Sequence, residues 1–139
     1  MTEVFLDTSY AISLSVVTDQ KHTAAVALAR QLRADKTRLL VTRAVMLEIG
    51  NSLSKARYRA AALALLNALE VDASVEIIEL NADDYRAAMQ MFQSHTDKEW
   101  GLVDCISFVV MRRRGLSDAL TADSHFVQAG FRALLLENS

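Results

Sequence analysis

Residues 4–9 read VFLDTS and lie almost at the start of a chain of 139 residues. Three apolar residues run directly into Asp7, and the hydroxyl residues Thr8 and Ser9 follow it. A short, continuous apolar run is typical of a buried strand in the middle of a parallel sheet. An Asp at the end of such a strand lies at the carboxyl edge of the sheet, where open α/β folds place ligand sites. Taken alone, Asp7 is more simply interpreted as a turn residue or as the N-cap of the next helix.

Apolar runs and helical periodicities alternate along the rest of the chain. We predict strands over residues 4–6, 39–41, 75–80, 119–121 and 131–136. We predict helices over residues 10–17, 22–34, 43–55, 58–69, 82–93, 102–114 and 123–129. This alternation predicts a parallel sheet with helices on both faces. The polar alternation in the third strand favours a position at the edge of the sheet.

The composition, 52% hydrophobic and 23% charged, predicts a single globular domain over residues 1–139. The net charge of −2 gives no global sign of nucleic-acid binding, so a polyanionic partner needs a local basic patch. The chain contains no glycine-rich phosphate loop. One cysteine, no signal-peptide pattern and no run long enough to cross a bilayer predict a cytoplasmic protein without a membrane partner.

Two further acidic residues have both a structural and a functional interpretation. Glu48 lies in the predicted helix 43–55, beside a core stripe that includes Val45 and Ile49. It can be an exposed helix residue that extends its stem over the core. Asp123 follows the strand 119–121 and precedes a helix, so it can be an N-cap.

Asp104 is harder to explain as structure alone. It lies in the first turn of the predicted helix 102–114, which is apolar nearly all round and is therefore predicted to be buried. A buried charge needs a partner or a metal ion. The arginines of this helix, residues 112–114, lie two to three turns away.

The four acidic residues have compatible positions in the predicted fold. Asp7 and Asp123 end strands, and Asp104 and Glu48 lie near the starts of helices. Converging carboxylates repel one another, and this raises their pKa values unless cations are present. Mg²⁺ and Mn²⁺ prefer carboxylate and water ligands. Such a site can activate a water and stabilise the charge of an in-line phosphoryl displacement.

Motifs around these acids carry a resemblance to a known family. Asp7-Thr8-Ser9, Glu48 in a helix, the run GLVD at residues 101–104 and the run LTAD at residues 120–123 occur in this order. The chain resembles the PIN-domain ribonucleases over nearly its whole length. It is most similar to the VapC-type toxins of toxin–antitoxin pairs, and residues 97–105, DKEWGLVDC, are similar to a block that recurs in one branch of the family.

The resemblance implies a three-layer, Rossmann-like α/β fold with a parallel five-stranded sheet in the order 3-2-1-4-5. It implies hydrolysis of RNA phosphodiester bonds that depends on Mg²⁺ or Mn²⁺. The implied catalytic metal ligands are Asp7, Glu48, Asp104 and Asp123, and Thr8, Ser9 and Thr121 are implied to support them by hydrogen bonds. The implied partners are an RNA substrate and a cognate antitoxin.

Other residues receive provisional roles. Arg43, Lys98 and Trp100 are candidate RNA contacts, through phosphate for the two cations and through base stacking for the indole. Trp100 can equally be core and Lys98 solvated. The arginines at 112–114 end a helix, where cations are favoured, and are interpreted as structural. The three histidines have no metal-ligand spacing and receive no role. Apolar residues of the helix 82–93, among them Met89, Met91 and Phe92, are candidates for a homodimer or antitoxin interface.

Three other functions are considered. A phosphatase with an Asp nucleophile requires a second Asp two residues on, where this chain has Ser9. A phosphoaccepting receiver domain requires a late lysine, and no lysine follows Lys98. A protein-interaction or RNA-processing module that is not a toxin remains the alternative to a toxin ribonuclease.

Overall fold

The structure, a computed structural model, describes residues 3–137. Its strands are β1 (Glu3–Leu6), β2 (Arg38–Thr42), β3 (Val75–Ile78), β4 (Asp118–Leu120) and β5 (Arg132–Ala133). Its helices are α1 (Thr8–Ser15), α2 (His22–Ala34), α3 (Arg43–Ser52), α4 (Ala56–Val71), α5 (Ala82–Ser94), α6 (Leu102–Arg114), α7 (Ser124–Gln128) and α8 (Leu134–Glu137).

The five strands form one parallel sheet in the order β3-β2-β1-β4-β5, flanked by helices, as predicted. β1 is the central strand, with Phe5 paired to Leu40 on one side and to Ala119 on the other. Val4 and Phe5 are completely buried, which explains the continuous apolar run. Every residue of β3 is only half-buried, so the prediction of an edge strand is confirmed.

The helices that leave the carboxyl edge of the sheet begin at side-chain caps. Asp7 caps α1 by accepting from the backbone N–H of Ser9, and Thr42 caps α3 by accepting from that of Val45. Asp123 caps α7 by accepting from the backbone N–H of His125. These caps satisfy N–H groups that the first turn of a helix leaves free. The simpler interpretations of Asp7 and Asp123 as N-caps are therefore correct, and they coincide with positions at the sheet edge.

The last predicted strand, residues 131–136, is wrong over most of its length. Only Arg132–Ala133 pairs with β4, and Leu134–Glu137 forms a single helical turn. Leu134 and Leu135 are both buried, at 5% and 0% exposure. An extended chain would point consecutive side chains to opposite faces of the sheet. A helical turn instead buries both leucines.

The core contains a chain of aromatic contacts that fixes α6 and α7 next to the sheet. The Phe108 ring of α6 meets the Phe126 ring of α7 edge to face, with centroids 5.0 Å apart. Phe126 in turn lies 6.4 Å from the ring of Phe5 in β1. This packing holds the first turns of α6 and α7 beside the end of β1. None of the helices within residues 3–137 combines the length and apolarity needed to cross a membrane.

Candidate active site

Asp7 is the buried centre of the site. It follows β1, its exposed fraction is 4%, and its backbone N–H donates to the Leu120 carbonyl oxygen of the neighbouring strand. The hydroxyls of Thr121 and Ser9 lie 2.8 Å and 3.1 Å from Asp7 Oδ2, and the Ser9 N–H lies 3.4 Å from the same oxygen. These hydrogen bonds all go to Oδ2, so the carboxylate is held in one orientation.

Ser9 and Thr121 also connect the ends of β1 and β4. Their hydroxyl oxygens lie 2.9 Å apart. The Ser9 hydroxyl accepts from the Ala122 N–H, and the Thr121 hydroxyl accepts from the Asp123 N–H, at 2.9 Å and 3.0 Å. One small network therefore sets both the orientation of Asp7 and the course of the chain into Asp123.

Asp104 lies in the first turn of α6 and faces the same edge. Its Oδ2 accepts from the Gly101 N–H at 3.1 Å and from His125 Nδ1 at 3.0 Å. Its side chain is 16% exposed, and burial raises its pKa. Sequence reasoning found no partner for this carboxylate on its own helix, and the structure supplies one from α7, the imidazole of His125.

His125 joins the carboxylates of two different elements. Its Nδ1 lies 3.0 Å from Asp104 Oδ2 and 3.3 Å from Asp123 Oδ1. One potential ligand atom from each of these three residues lies within 4.8 Å of the others. Sequence reasoning assigned His125 no role, although its position two residues after Asp123, in the first turn of α7, was a usable signal.

Glu48 approaches the site from α3, and Thr8 connects it to the site. The Thr8 hydroxyl donates to Glu48 Oε1 at 2.5 Å. Thr8 follows Asp7 directly, so the start of α1 places both carboxylates along one edge. Glu48 is half-buried, and neither Glu48 nor Asp7 belongs to the group of ligand atoms within 4.8 Å of one another.

The electrostatics of the site disfavour negative charge. Burial raises the pKa of Asp7 from 3.8 to about 6, and the charge of Asp104 adds to this, against the hydrogen bonds from Thr121 and Ser9, which lower it. The Asp104 pKa is raised by burial and by the neighbouring Asp123. Because the carboxylates are buried and close together, their charged forms are disfavoured. A hard divalent cation bound by their oxygens would favour the charged forms again. The donor set present therefore fits such a cation.

All three candidate RNA contacts have protein partners. Arg43 donates to Glu79 through Nε and Nη2, at 3.1 Å and 2.6 Å, and to Glu70 through Nη1 at 2.6 Å. The indole N–H of Trp100 donates to Gln128 Oε1 at 3.0 Å, and only 7% of the residue is exposed.

The rings of His95 and Phe108 contact the Trp100 indole, at centroid distances of 4.9 Å and 5.0 Å. Trp100 thus occupies the core position that was its alternative interpretation. Lys98 lies at the surface, 3.5 Å from Asp97. We therefore assign no role in RNA binding to Arg43 or Trp100.

The arginines of residues 112–114 have structural partners, as predicted. Arg112 donates to the Ala129 carbonyl oxygen, and Arg114 forms a two-pronged pair with Glu76 of β3. Arg113 pairs with Asp84, a carboxylate that is 3% exposed. The run joins α6 to its neighbours.

Comparisons with known proteins agree with this architecture. The sequence pattern of the PIN domain matches residues 4–132. The chain is 29% identical over 128 residues to the 23S rRNA-specific endonuclease VapC20 of Mycobacterium tuberculosis, an alignment that covers 92% of this chain and 95% of the relative.

Two crystal structures are similar to the fold. VapC20 of M. tuberculosis, described as a toxin that cleaves the sarcin-ricin loop, superposes with a TM-score of 0.82 at 28% identity, covering 93% of this chain and 96% of the other. FitAcB from Neisseria gonorrhoeae superposes with a TM-score of 0.62 at 18% identity, covering 94% of each chain, a likeness of fold alone.

Proposed function

Since the chain belongs to the PIN-domain family, we propose that it is a metal-dependent endoribonuclease and the VapC-type toxin of a toxin–antitoxin pair. Homology to VapC20 supports the nuclease and the toxin interpretations. The observation that carries the proposal is the buried Asp7 carboxylate at the sheet edge, whose charge interacts with that of Asp104, which in turn interacts with Asp123. We take residues 1–139 as a single catalytic domain.

The proposed cofactor is Mg²⁺ or Mn²⁺. Asp7, Glu48, Asp104 and Asp123 are proposed to hold it, because carboxylate oxygens are the donors that both ions prefer. When bound, such an ion supplies a nucleophilic water at neutral pH and stabilises the negative charge that develops on the phosphoryl group. His125 is proposed to orient Asp104 through the contact between its Nδ1 and Asp104 Oδ2.

The protein's own contribution is to position these acids. Thr121 and Ser9 orient Asp7 through hydrogen bonds to its Oδ2. His125 and the Gly101 N–H hold Asp104, and the hydroxyl of Thr8 holds Glu48. Fixed donors cost little reorganisation at the moment of reaction. The burial of Asp7 also excludes water and strengthens its interaction with a cation.

Cleavage of a defined RNA tests the proposal. We choose a hairpin with the sarcin-ricin loop as first substrate because that is the RNA named for the relative. The purified protein is expected to cleave it with Mg²⁺ or Mn²⁺ and to lose cleavage in EDTA. Asp7→Asn and Asp104→Asn are expected to reduce the rate at least 100-fold.

The matched control is Asp97→Asn, which removes an exposed carboxylate on the loop before α6. Cleavage that is unaffected by EDTA, or by both active-site variants, would contradict a metal-dependent mechanism. Cleavage of an unrelated hairpin at the same rate would support nuclease activity but contradict specificity for the sarcin-ricin loop.

The toxin interpretation predicts two protein partners. A cognate antitoxin is expected to suppress the growth arrest that the induced protein causes, whereas a PIN module that is not a toxin would cause no arrest.

A homodimer is proposed from the exposed aromatic residues of α5, Tyr85 and Phe92, at 44% and 45% exposure. Light scattering of the parent and of Phe92→Glu tests the dimer. A parent protein that is monomeric would contradict the proposed dimer. We propose a cytoplasmic location, which the proposed RNA substrate and the single free cysteine support.

A further inference from the structure

A cleft of about 460 Å³ adjoins the acidic site on the side of α1 and the loop that follows it. Ser9 and Ala122 line it, and both also belong to the hydrogen-bond network around Asp7. Its opposite wall comes from the loop between α1 and α2, through Asp19, Gln20 and Lys21. Its volume lies in the range of ordinary ligand sites. The cleft therefore meets the acidic site at Ser9 and Ala122, and none of the four acids is among its lining residues.

The loop that forms this wall is anchored to α1. Asp19 Oδ1 accepts from the hydroxyl of the buried Ser13 at 3.0 Å and from the Lys21 backbone N–H at 2.8 Å. The next residue, His22, places Nδ1 2.9 Å from the Ser13 carbonyl oxygen. These contacts hold Lys21 at a defined distance from Ser9. They also engage the Asp19 carboxylate, the negative group that faces the cleft from the same loop.

Lys21 supplies the positive charge of this wall. It is the one basic residue among the described residues that line the cleft. Its Nζ donates to the Leu135 carbonyl oxygen at 3.5 Å, and within residues 3–137 no carboxylate forms an ion pair with it. Arg43 and Arg114, by contrast, are each paired with glutamates. Lys21 thus carries a charge without an ion-pair partner among residues 3–137, on the wall of a cleft that Ser9 and Ala122 connect to the hydrogen-bond network of Asp7.

We propose that this cleft binds the nucleotide next to the scissile phosphodiester and that Lys21 contacts its phosphate. The proposal rests on the ribonuclease function proposed above and names a substrate subsite for it. A polyanion that approaches a cluster of carboxylates gains from a fixed cation beside them, and phosphate contacts set the register of the strand. The apolar Ile12 and the amide of Gln20 complete a surface for a sugar and a base edge.

Salt-dependent binding separates a phosphate contact from a structural role. RNA affinity is measured between 50 and 200 mM salt in the cleavage-deficient Asp104→Asn background, with Lys21→Met, Lys21→Arg and Lys55→Ala added. Lys55 is the matched control, because it also precedes a helix and its side chain also makes no cap hydrogen bond. Loss of one phosphate contact lowers the slope of log affinity against log salt by about 0.7 to 0.9. We expect this change for Lys21→Met only.

Kinetics of the active enzyme give a second readout. Lys21→Met is expected to raise KM about 3- to 10-fold and to change kcat less than twofold, with Lys21→Arg close to the parent. An unchanged salt slope and KM in Lys21→Met, or the same change in Lys55→Ala, overturns the subsite. A lower thermal midpoint together with no rescue by Lys21→Arg shows a structural role and overturns it too. A parent that neither cleaves nor binds RNA refutes the proposed function itself, and the subsite falls with it.

Discussion

The hydroxyl of Thr8 donates a 2.5 Å hydrogen bond to Glu48 Oε1, across 40 positions of the sequence. It is the contact through which α3 supplies its carboxylate to the edge where Asp7 lies. Thr8 is 6% exposed, so the bond is shielded from water. The role of Glu48 therefore depends on a residue that follows Asp7 directly.

Replacing Thr8 by Val keeps the shape of the side chain and removes the donor. We expect Mn²⁺ affinity, measured by calorimetry, to fall roughly 10- to 100-fold, as for other residues that orient metal ligands. Thr8→Ser keeps a hydroxyl and is expected to stay within a few-fold of the parent. Equal affinities for the parent and Thr8→Val would show that Glu48 is positioned without this bond.

His125 is expected to position Asp104. His125→Ala removes the imidazole that lies 3.0 Å from Asp104 Oδ2, and we expect about 10- to 100-fold weaker Mn²⁺ binding. Asn can place an amide N–H near the Nδ1 position, so His125→Asn should recover much of the loss. Electron spin echo spectra of the Mn²⁺-bound parent distinguish the two roles. A nitrogen modulation that disappears in both variants would make His125 a ligand, and its absence from the parent would leave it a positioning residue.

Metal binding should weaken in acid because a proton competes for Asp7. The folded-state pKa of Asp7 is raised to about 6, by burial first and then by the charge of Asp104. The apparent Mn²⁺ affinity is expected to fall about tenfold per pH unit below pH 6 and to level off above about pH 7. A titration series from pH 4.5 to 8 checks this. A flat profile down to pH 5 would contradict the raised pKa.

The same carboxyl makes the metal-free protein less stable as pH rises. The pKa of Asp7 is 3.8 in the unfolded chain and about 6 in the folded protein. Between these two pH values the folded state therefore holds a proton that the unfolded chain has lost. Its contribution is favourable below about pH 4 and is lost as pH rises through 6, by roughly 1–3 kcal/mol. Asp7→Asn should remove this part of the pH dependence and stabilise the protein at pH 8 without metal. Urea unfolding at pH 5 and pH 8, with Asp97→Asn as control, measures it.

Arg113 is expected to serve stability and not RNA binding. It pairs with the buried Asp84, and Arg113→Ala leaves that carboxylate without its cation. Removing one partner of a buried pair costs about 3–5 kcal/mol, and the half-exposed guanidinium lowers our expectation to roughly 2 kcal/mol. Urea unfolding gives the loss, and Arg112→Ala, whose partner is a backbone carbonyl, is the milder control. A change in the salt dependence of RNA binding in Arg113→Ala would contradict the structural role.

The features that the sequence alone determined are those set by local pattern. The apolar run before Asp7, the alternation of strands and helices, and the caps at Asp7 and Asp123 follow from residue type and spacing. The order of the acidic motifs carried the resemblance to the PIN family, and with it the strand order. Side-chain direction repeats every two residues in a strand and every 3.6 residues in a helix. Both repeats are short-range properties, so they can be recognised in the sequence without knowledge of tertiary contacts.

Only the tertiary structure decided which side chains meet. His125 reaches Asp104, Arg43 is paired with Glu70 and Glu79, and Trp100 is enclosed in the core. The two leucines after β5 turn inward as a helix, although the run could extend as a strand. Each outcome depends on how elements far apart in the sequence pack. A charged side chain pairs with whichever opposite charge packing brings close to it, and an apolar run adopts the conformation that buries its side chains.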